Sequence, residues 1–391
     1  MRVQDTMIYL LRGLLFARDA ENGELDGVEL GENELAELYK LSKKHDLAHL
    51  VGAALDGRGL LPAESEMAKK FQREQYLALY RCENLEYECG AITKVFDDVG
   101  IEYVLLKGAV IRKLYPEAWM RTSCDIDILV RESELDRACE ALVERLGYSS
   151  DKKKDYHDIS LHSGSGFHLE LHYNIKENTP SIDTVLEKVW GHTKETGKYS
   201  RALTNEFLMF HVIAHTAYHF AGGGCGVRAL IDIKLLRDNV AYDCDKLREL
   251  LSHAGLEKFC DNLFALCDVW FGDREQDGLT FEMQEYIFGG GVYGIIENNL
   301  AIKRGRVGGR ASYVLSRIFM PYRALKIHYP VLEKHKILMP VCQVARWCKL
   351  LSPQKRKRIA REIHVNSEVT RDDAMRLLDL FDRVGLKIEK K

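Results

Sequence analysis

The chain has 391 residues, 46% of them hydrophobic and 29% charged, an ordinary globular composition and more chain than one hydrophobic core serves. Its 56 basic residues nearly balance 59 acidic ones, and a net charge of -3 excludes the broad positive field of a general nucleic-acid or membrane-surface binder. Ten cysteines with no CxxC pair exclude a zinc ribbon and point to reduced thiols rather than a disulfide framework.

The opening Met1-Arg2-Val3-Gln4-Asp5 lacks a signal-peptide pattern, and no run of about 18 apolar residues predicts a membrane span. The expectation is a cytoplasmic protein with no membrane partner. Residues 1–95 read as a helical region, with Leu10, Leu11, Leu14 and Leu15, then Leu35, Leu38 and Leu41, at helical spacing. Leu61-Pro62 breaks that pattern ahead of a long helix from about Glu64 to Val99.

The texture changes at Gly100. Ile101 to Leu106 predicts a buried strand that ends in a glycine turn at Lys107-Gly108, followed by a short helix from about Ala109 to Leu114. A second strand, Asp125 to Val130, precedes a helix of about Glu134 to Leu146 capped by Ser133 and closed by Gly147. Asp158–His162 and Phe167–His172 flank Ser163-Gly164-Ser165-Gly166, a β-hairpin signal.

These elements make residues 96–200 a small mixed α/β unit. Helices return over 201–300, with Asn205–Phe220, Val227–Asp238 and one or two helices in Asp245–Phe271. Glycines 289 to 291 and the Gly/Arg-rich stretch 303–310 mark a loop. A basic helical tail fills 301–391; its Lys355-Arg356-Lys357-Arg358 run reads as a solvated face, with RNA holding as the minority alternative.

The chemistry gathers in Asp125-Ile126-Asp127-Ile128. Strand residues two apart share a face, so both carboxylates project together while Ile126 and Ile128 point into a core. Two like charges held side by side call for a hard cation such as Mg²⁺. In His168-Leu169-Glu170-Leu171-His172 the polar residues alternate with leucines, so Glu170 becomes a third acid if its strand lies beside Asp125–Val130. Three carboxylates around one or two Mg²⁺ (or Mn²⁺) ions suit phosphoryl transfer, with Glu170 on the nucleophile side. His168 and His172 read as site-wall residues.

Leu106-Lys107-Gly108, Arg121, Asp125–Val130 and Leu169-Glu170-Leu171-His172 together resemble the polymerase-β-type nucleotidyltransferase superfamily. More narrowly, they resemble the bacterial uncharacterised nucleotidyltransferases. Ile213–His219, Arg228–Asp232, Tyr329-Pro330 and Leu338-Met339-Pro340 are similar to later parts of that family.

The resemblance implies an α+β fold, a small mixed-sheet core flanked by N- and C-terminal helical regions. It implies Asp125, Asp127 and Glu170 as catalytic metal ligands and Lys107, Gly108 and Arg121 as nucleotide-binding residues. The superfamily usually has Gly-Ser or Gly-Gly about ten residues before the acids, whereas Lys107-Gly108-Ala109 places Gly108 17 positions before Asp125. Backbone N–H groups, Lys107 and Arg121 must then supply the positive field.

The implied reaction moves a nucleoside monophosphate from an NTP to an acceptor hydroxyl. The balanced charge favours a small molecule or a protein over RNA as acceptor. A catalytically inactive nucleotide-binding regulatory module is the alternative, and the presence of all three acids opposes it. His211, His215 and His219 form a ladder that could serve a zinc hydrolase, but no carboxylate falls at the matching turn. An interior helix tied to the core through His215, Arg228 and Asp232 is the preferred reading. A purely structural scaffold leaves the paired acids unexplained.

Overall fold

The computed structural model describes residues 2–16, 30–62, 64–154, 156–291, 298, 302, 318–322, 325–326, 329, 331–350 and 370–386. Four helices lead the chain: α1 (Val3–Phe16), α2 (Glu32–Lys44), α3 (Ala48–Asp56) and α4 (Glu66–Val99). Their leucine spacing does what it predicts. Leu10, Leu11 and Leu15 of α1 and Leu35 and Leu38 of α2 are buried. Helix α4 starts after Pro62 where the Ser65 hydroxyl accepts the Ala68 N–H, and it stops at Gly100, whose φ of 73° is left-handed.

The middle of the chain runs β1 (Tyr103–Leu105), α5 (Lys107–Ile111), β2 (Asp125–Val130), α6 (Leu135–Leu146), β3 (Ser149–Lys154), β4 (Asp158–His162), β5 (His168–His172), α7 (Pro180–Leu186), β6 (Thr193–Glu195) and β7 (Ser200–Leu203). The strands form one mixed sheet ordered β3-β4-β5-β2-β1-β7-β6. The predicted hairpin is the antiparallel pair β4/β5, and β5 runs parallel to β2. Strand β7 adds a parallel neighbour to β1, extended by the antiparallel β6.

Alternation along these strands separates two faces. Ile126, Ile128, Ile159, Leu161, Leu169 and Leu171 form one core with Ile92, Val95 and Phe96 of α4 and Leu135, Ala138 and Leu142 of α6. Leu161, Leu169 and Leu171 are fully buried, each contributing about 1.5–3 kcal/mol, so the register of β5 is strongly fixed. The opposite face turns toward the helices that follow: α8 (Asn205–Gly222), α9 (Val227–Asn239), α10 (Cys244–Ala254), α11 (Glu257–Phe271) and α12 (Gly278–Gly290). These share a second core with α1–α3, through residues such as Met7, Leu50, Phe207, Leu230 and Phe271. Near the end, α13 (Met339–Leu350) and α14 (Arg371–Val384) are helical, and Phe381 of α14 packs 5.7 Å from Phe220 of α8.

The architecture is the expected α+β arrangement, with three local corrections and one choice between expected readings, at Gly255. Ser133 does not cap α6, because Glu132–Glu134 form a 3-10 turn and the helix starts at Leu135 without a side-chain cap. Gly108 lies inside the first turn of α5 rather than in a loop. Gly289 and Gly290 finish α12, and Gly291 alone turns left-handed with φ 66°. Gly255, at φ 69°, splits 245–271 into two helices. Residues 303–310 and 355–358 lie outside the described residues. All ten cysteines are free thiols, and no described helix is long and apolar enough to cross a membrane.

Candidate active site

Parallel pairing of β2 with β5 sets Asp125 opposite His168, Asp127 opposite Glu170 and Leu129 opposite His172. Antiparallel pairing of β5 with β4 continues the rows to His162, Ser160 and Asp158. Side chains opposite one another share a face, so one surface of three strands carries Asp125, Asp127, Glu170, three histidines and Asp158. The third acid, expected only on condition that its strand lay beside the first, is in place.

This polar face opens into a cleft of about 320 Å³. Asp125, Asp127, Glu170 and Asp232 line it together with Lys107, Arg121, His215 and Arg228. No acid is left without a partner: His172 Nε2 donates to Asp127 Oδ1 at 3.1 Å and lies 3.6 Å from Glu170 Oε2, while Ser123 Oγ donates to Asp125 Oδ1 at 2.7 Å. Burial opposes a charged imidazole at His172, but hydrogen bonds to Asp127 and Glu170 outweigh it and raise its pKa to about 9. Burial would likewise raise Asp127, yet the His172 bond and charge, then Lys107 and His215, hold that carboxyl far below its usual range. Asp125 moves the other way, raised by burial and by the adjacent Asp127 charge.

The carboxylate oxygens suit a hard divalent ion. Ligand atoms of Asp127, Glu170 and His172 lie within 4.8 Å of one another, as do those of Asp125, His168 and Glu170. A third such group, His157, Asp158 and His172, sits behind them. No described metal-capable group includes His211, His215 or His219.

Two of those histidines engage a buried acid and each other. Nδ1 of His215 lies 2.7 Å from Glu177 Oε1, and its Nε2 lies 3.1 Å from His219 Nε2. Lys107 Nζ sits 3.0 Å from the same Nδ1 and forms no ion pair among the described residues. Glu177 is buried, which by itself raises a carboxyl; the His215 charge and hydrogen bond reverse that and depress it strongly. Burial and then the His215 charge push His219 down to about 3, so it is neutral. Glu177 was missed in the sequence because it lies on the loop after β5, in no pattern that marks a buried acid.

Arg121 is committed to a buried carboxylate. Its Nε and Nη2 reach Asp232 Oδ1 and Oδ2 at 3.0 and 2.8 Å, and Tyr115 OH donates to Oδ1 at 2.8 Å. Burial lowers the Arg121 pKa, and Asp232 more than restores it. Arg121 still borders the cleft, close against Gly108, where an added Cβ would stand 3.1 Å from Arg121 Nη1 and 3.4 Å from Ser123 Oγ. That approach, rather than a left-handed turn, is why position 108 is glycine. Arg228 binds the Thr122 carbonyl at 2.7 Å and Asp46 at 2.5 Å, so α9 is tied to the segment before β2.

No curated protein matches the sequence. Among solved structures, the solution structure of the antibiotic-resistance factor ANT(2'')-Ia is similar over 44% of this chain and 91% of its own, at 15% identity and a TM-score of 0.33. Residues 31–272, which hold the whole sheet and the lining of the cleft, match the family described as uncharacterised nucleotidyltransferase. The chain belongs to that family and is a transferase enzyme.

Proposed function

We infer that this protein transfers a nucleoside monophosphate from an NTP to an acceptor hydroxyl in a divalent-metal-dependent reaction. The observation that carries the inference is the in-register meeting of Asp125, Asp127 and Glu170 in a cleft also lined by Lys107, Arg121 and Arg228. Asp125, Asp127 and Glu170 would hold Mg²⁺ or Mn²⁺, which when bound offsets phosphate charge and eases deprotonation of the acceptor. Lys107, a cation lining the cleft without an ion pair among the described residues, would take the triphosphate. Gly108 lets Arg121 pack close against it, and Asp232 keeps that guanidinium in one place.

In the reaction the acceptor oxygen bonds to the α-phosphorus, the bond to the β-phosphate oxygen breaks, and pyrophosphate leaves. The hydroxyl proton passes to Glu170, the one acid of the three on β5, which is more exposed than Asp127. The acceptor is a small molecule or a protein side chain in preference to RNA, supported by the net charge of -3. Ten free thiols support a cytoplasmic setting. We assign the chemistry to residues 96–200, with 1–95, 201–300 and 301–391 as flanking regions.

The test is incubation of purified protein with each α-labelled NTP, Mg²⁺ or Mn²⁺, and separate small-molecule, protein and RNA acceptor pools. Label should move to an acceptor with release of pyrophosphate, and Asp127→Asn should abolish it. If wild-type protein neither binds an NTP nor transfers label in any pool, the inference is wrong.

A further inference from the structure

Helix α5 separates two spaces. Lys107, Gly108 and Ile111 line the cleft, whereas Ala109, with Arg112 and Lys113 of the 3-10 turn that follows, lines a second pocket of about 230 Å³. Glu86, Cys89, Gly90 and Thr93 of α4 also line this pocket, and Asp125 borders both spaces. At about 30 Å³ per water, the pocket suits a small molecule and not a peptide or a nucleic-acid strand.

Arg112 is the unusual group there. Three basic side chains are buried among the described residues, and two of them meet a carboxylate, Arg121 at Asp232 and Lys234 at Asp238. Arg112 is 6% exposed and forms no ion pair among the described residues; its Nε donates to the Gly108 carbonyl at 3.1 Å. The Cys82 and Cys89 thiols lie beside it, but burial pushes both up, so neither supplies a counter-charge. A guanidinium withdrawn from water without a counter-charge is costly, and an anion in the pocket offsets that cost.

The α4 wall keeps the space open. Gly90 is the single glycine among the 34 residues of α4, and a Cβ there would meet nothing within 4 Å. Glycine is a poor helix former, and neither a turn nor a close approach calls for it at this position. Its effect is to leave room in the pocket.

We propose that this pocket holds the acceptor by an anionic group. The acceptor is then a small molecule whose carboxylate or phosphate binds the Nη groups of Arg112 and whose hydroxyl reaches past Asp125 to the acids of the cleft. Lys113, exposed and without an ion pair among the described residues, adds to the positive field. Glu86 is exposed and accepts from Cys82 Sγ at 4.0 Å, pairing with neither cation. The hydroxyl oxygen displaces pyrophosphate as described above, and the anionic group takes no part in bond making. The inference rests on the nucleotidyl-transfer reading and adds the class of acceptor.

The experiment uses the full chain and three matched hydroxyl compounds, glycerol 3-phosphate, glycerate and glycerol. Ligand-observed NMR titration measures each, with and without a saturating non-hydrolysable ATP analogue and Mg²⁺. At least one anionic probe should bind in both conditions, and which one does so separates phosphate from carboxylate; glycerol should not bind. Arg112→Gln should weaken that binding about tenfold or more, the worth of a charge-assisted hydrogen bond. Gly90→Leu keeps Arg112 but fills the pocket, so it should abolish binding, and as a better helix former it should not lower the urea midpoint. Glycerol binding as well as the anionic probes, no binding of either anion, displacement by the ATP analogue, or unchanged binding in either variant overturns the proposal. None of these results touches NTP binding or label transfer by the wild-type protein, whose failure would overturn the nucleotidyl-transfer reading instead.

Discussion

The Arg121–Asp232 pair invites a quantitative test, because it is the buried charge nearest the cleft that serves the fold directly. Arg121 and Asp232 are 9% and 5% exposed, and Asp232 accepts from Arg121 three times and from Tyr115 once. Asp232→Asn keeps the shape but leaves the guanidinium buried without a counter-charge, which costs about 3–5 kcal/mol. For a chain this long that is a fall in Tm of roughly 5–10 °C.

The cost lies in the uncompensated charge rather than in the lost bonds, so removing all partners together should recover most of it. Tyr115→Phe, Arg121→Met and Asp232→Leu combined leave no orphaned polar group and should fold within about 2 kcal/mol of wild type. Urea denaturation of the single and triple variants, followed by far-UV circular dichroism, measures both quantities. A loss under about 1 kcal/mol for Asp232→Asn, or a triple variant less stable than the single, would refute the reasoning.

Three further outcomes are expected. His45 and His49 are buried, and burial lowers both to about 4 from the 6.5 they have when unfolded. The unfolded chain then binds more protons between about pH 4 and 6.5, so stability falls with pH through that window, by up to about 3 kcal/mol per histidine. Urea midpoints from pH 8 to pH 4 should show that decline, and His45→Phe should make it shallower; a flat profile counts against it.

Gly108→Ala places its Cβ 3.1 Å from a guanidinium that Asp232 holds fast, so it should destabilise the protein by about 1 kcal/mol and weaken NTP binding. Stabilisation instead, at the usual helical preference for Ala over Gly, would mean that Arg121 yields. Glu177→Gln removes the carboxylate that orients His215 and should cost about 1–3 kcal/mol at pH 7. Because the Glu177 pKa is depressed on folding, its contribution exists above the unfolded value of about 4.5 and disappears in acid. The wild-type and variant stabilities should therefore converge as the pH falls, and parallel curves would contradict the assignment.

Most of the site is legible in local periodicity. Asp125 and Asp127 on one face of β2, Glu170 between two leucines of β5, and the hairpin joining β4 to β5 all follow from period-two alternation. What stayed hidden depends on contacts far apart in the chain. Strand β7 is short and half polar, and nothing in Ser200–Leu203 announces a parallel partner about a hundred residues upstream. Strand β3 reads Ser-Ser-Asp-Lys-Lys-Lys, a sequence poor in strand-forming residues whose pairing with β4 overrides its propensity. The acid Glu177 became visible only when α8 brought His215 against it. Arg121 looks like a phosphate ligand by type, and only the folded chain sets Asp232 beside it.

The pairing of β2 with β5 has a consequence for how such a centre can change over evolutionary time. The leucines that fix β5 against α4 and α6 and the glutamate between them obey a single ruler, one residue up and one residue down. A slip by one position would carry Glu170 into the greasy layer and bring Leu169 or Leu171 out beside Asp127. Insertion or deletion within these five residues is therefore forbidden twice over, once by packing and once by chemistry. Variation is accommodated instead in the loops and helices around the sheet, where no two-residue ruler applies.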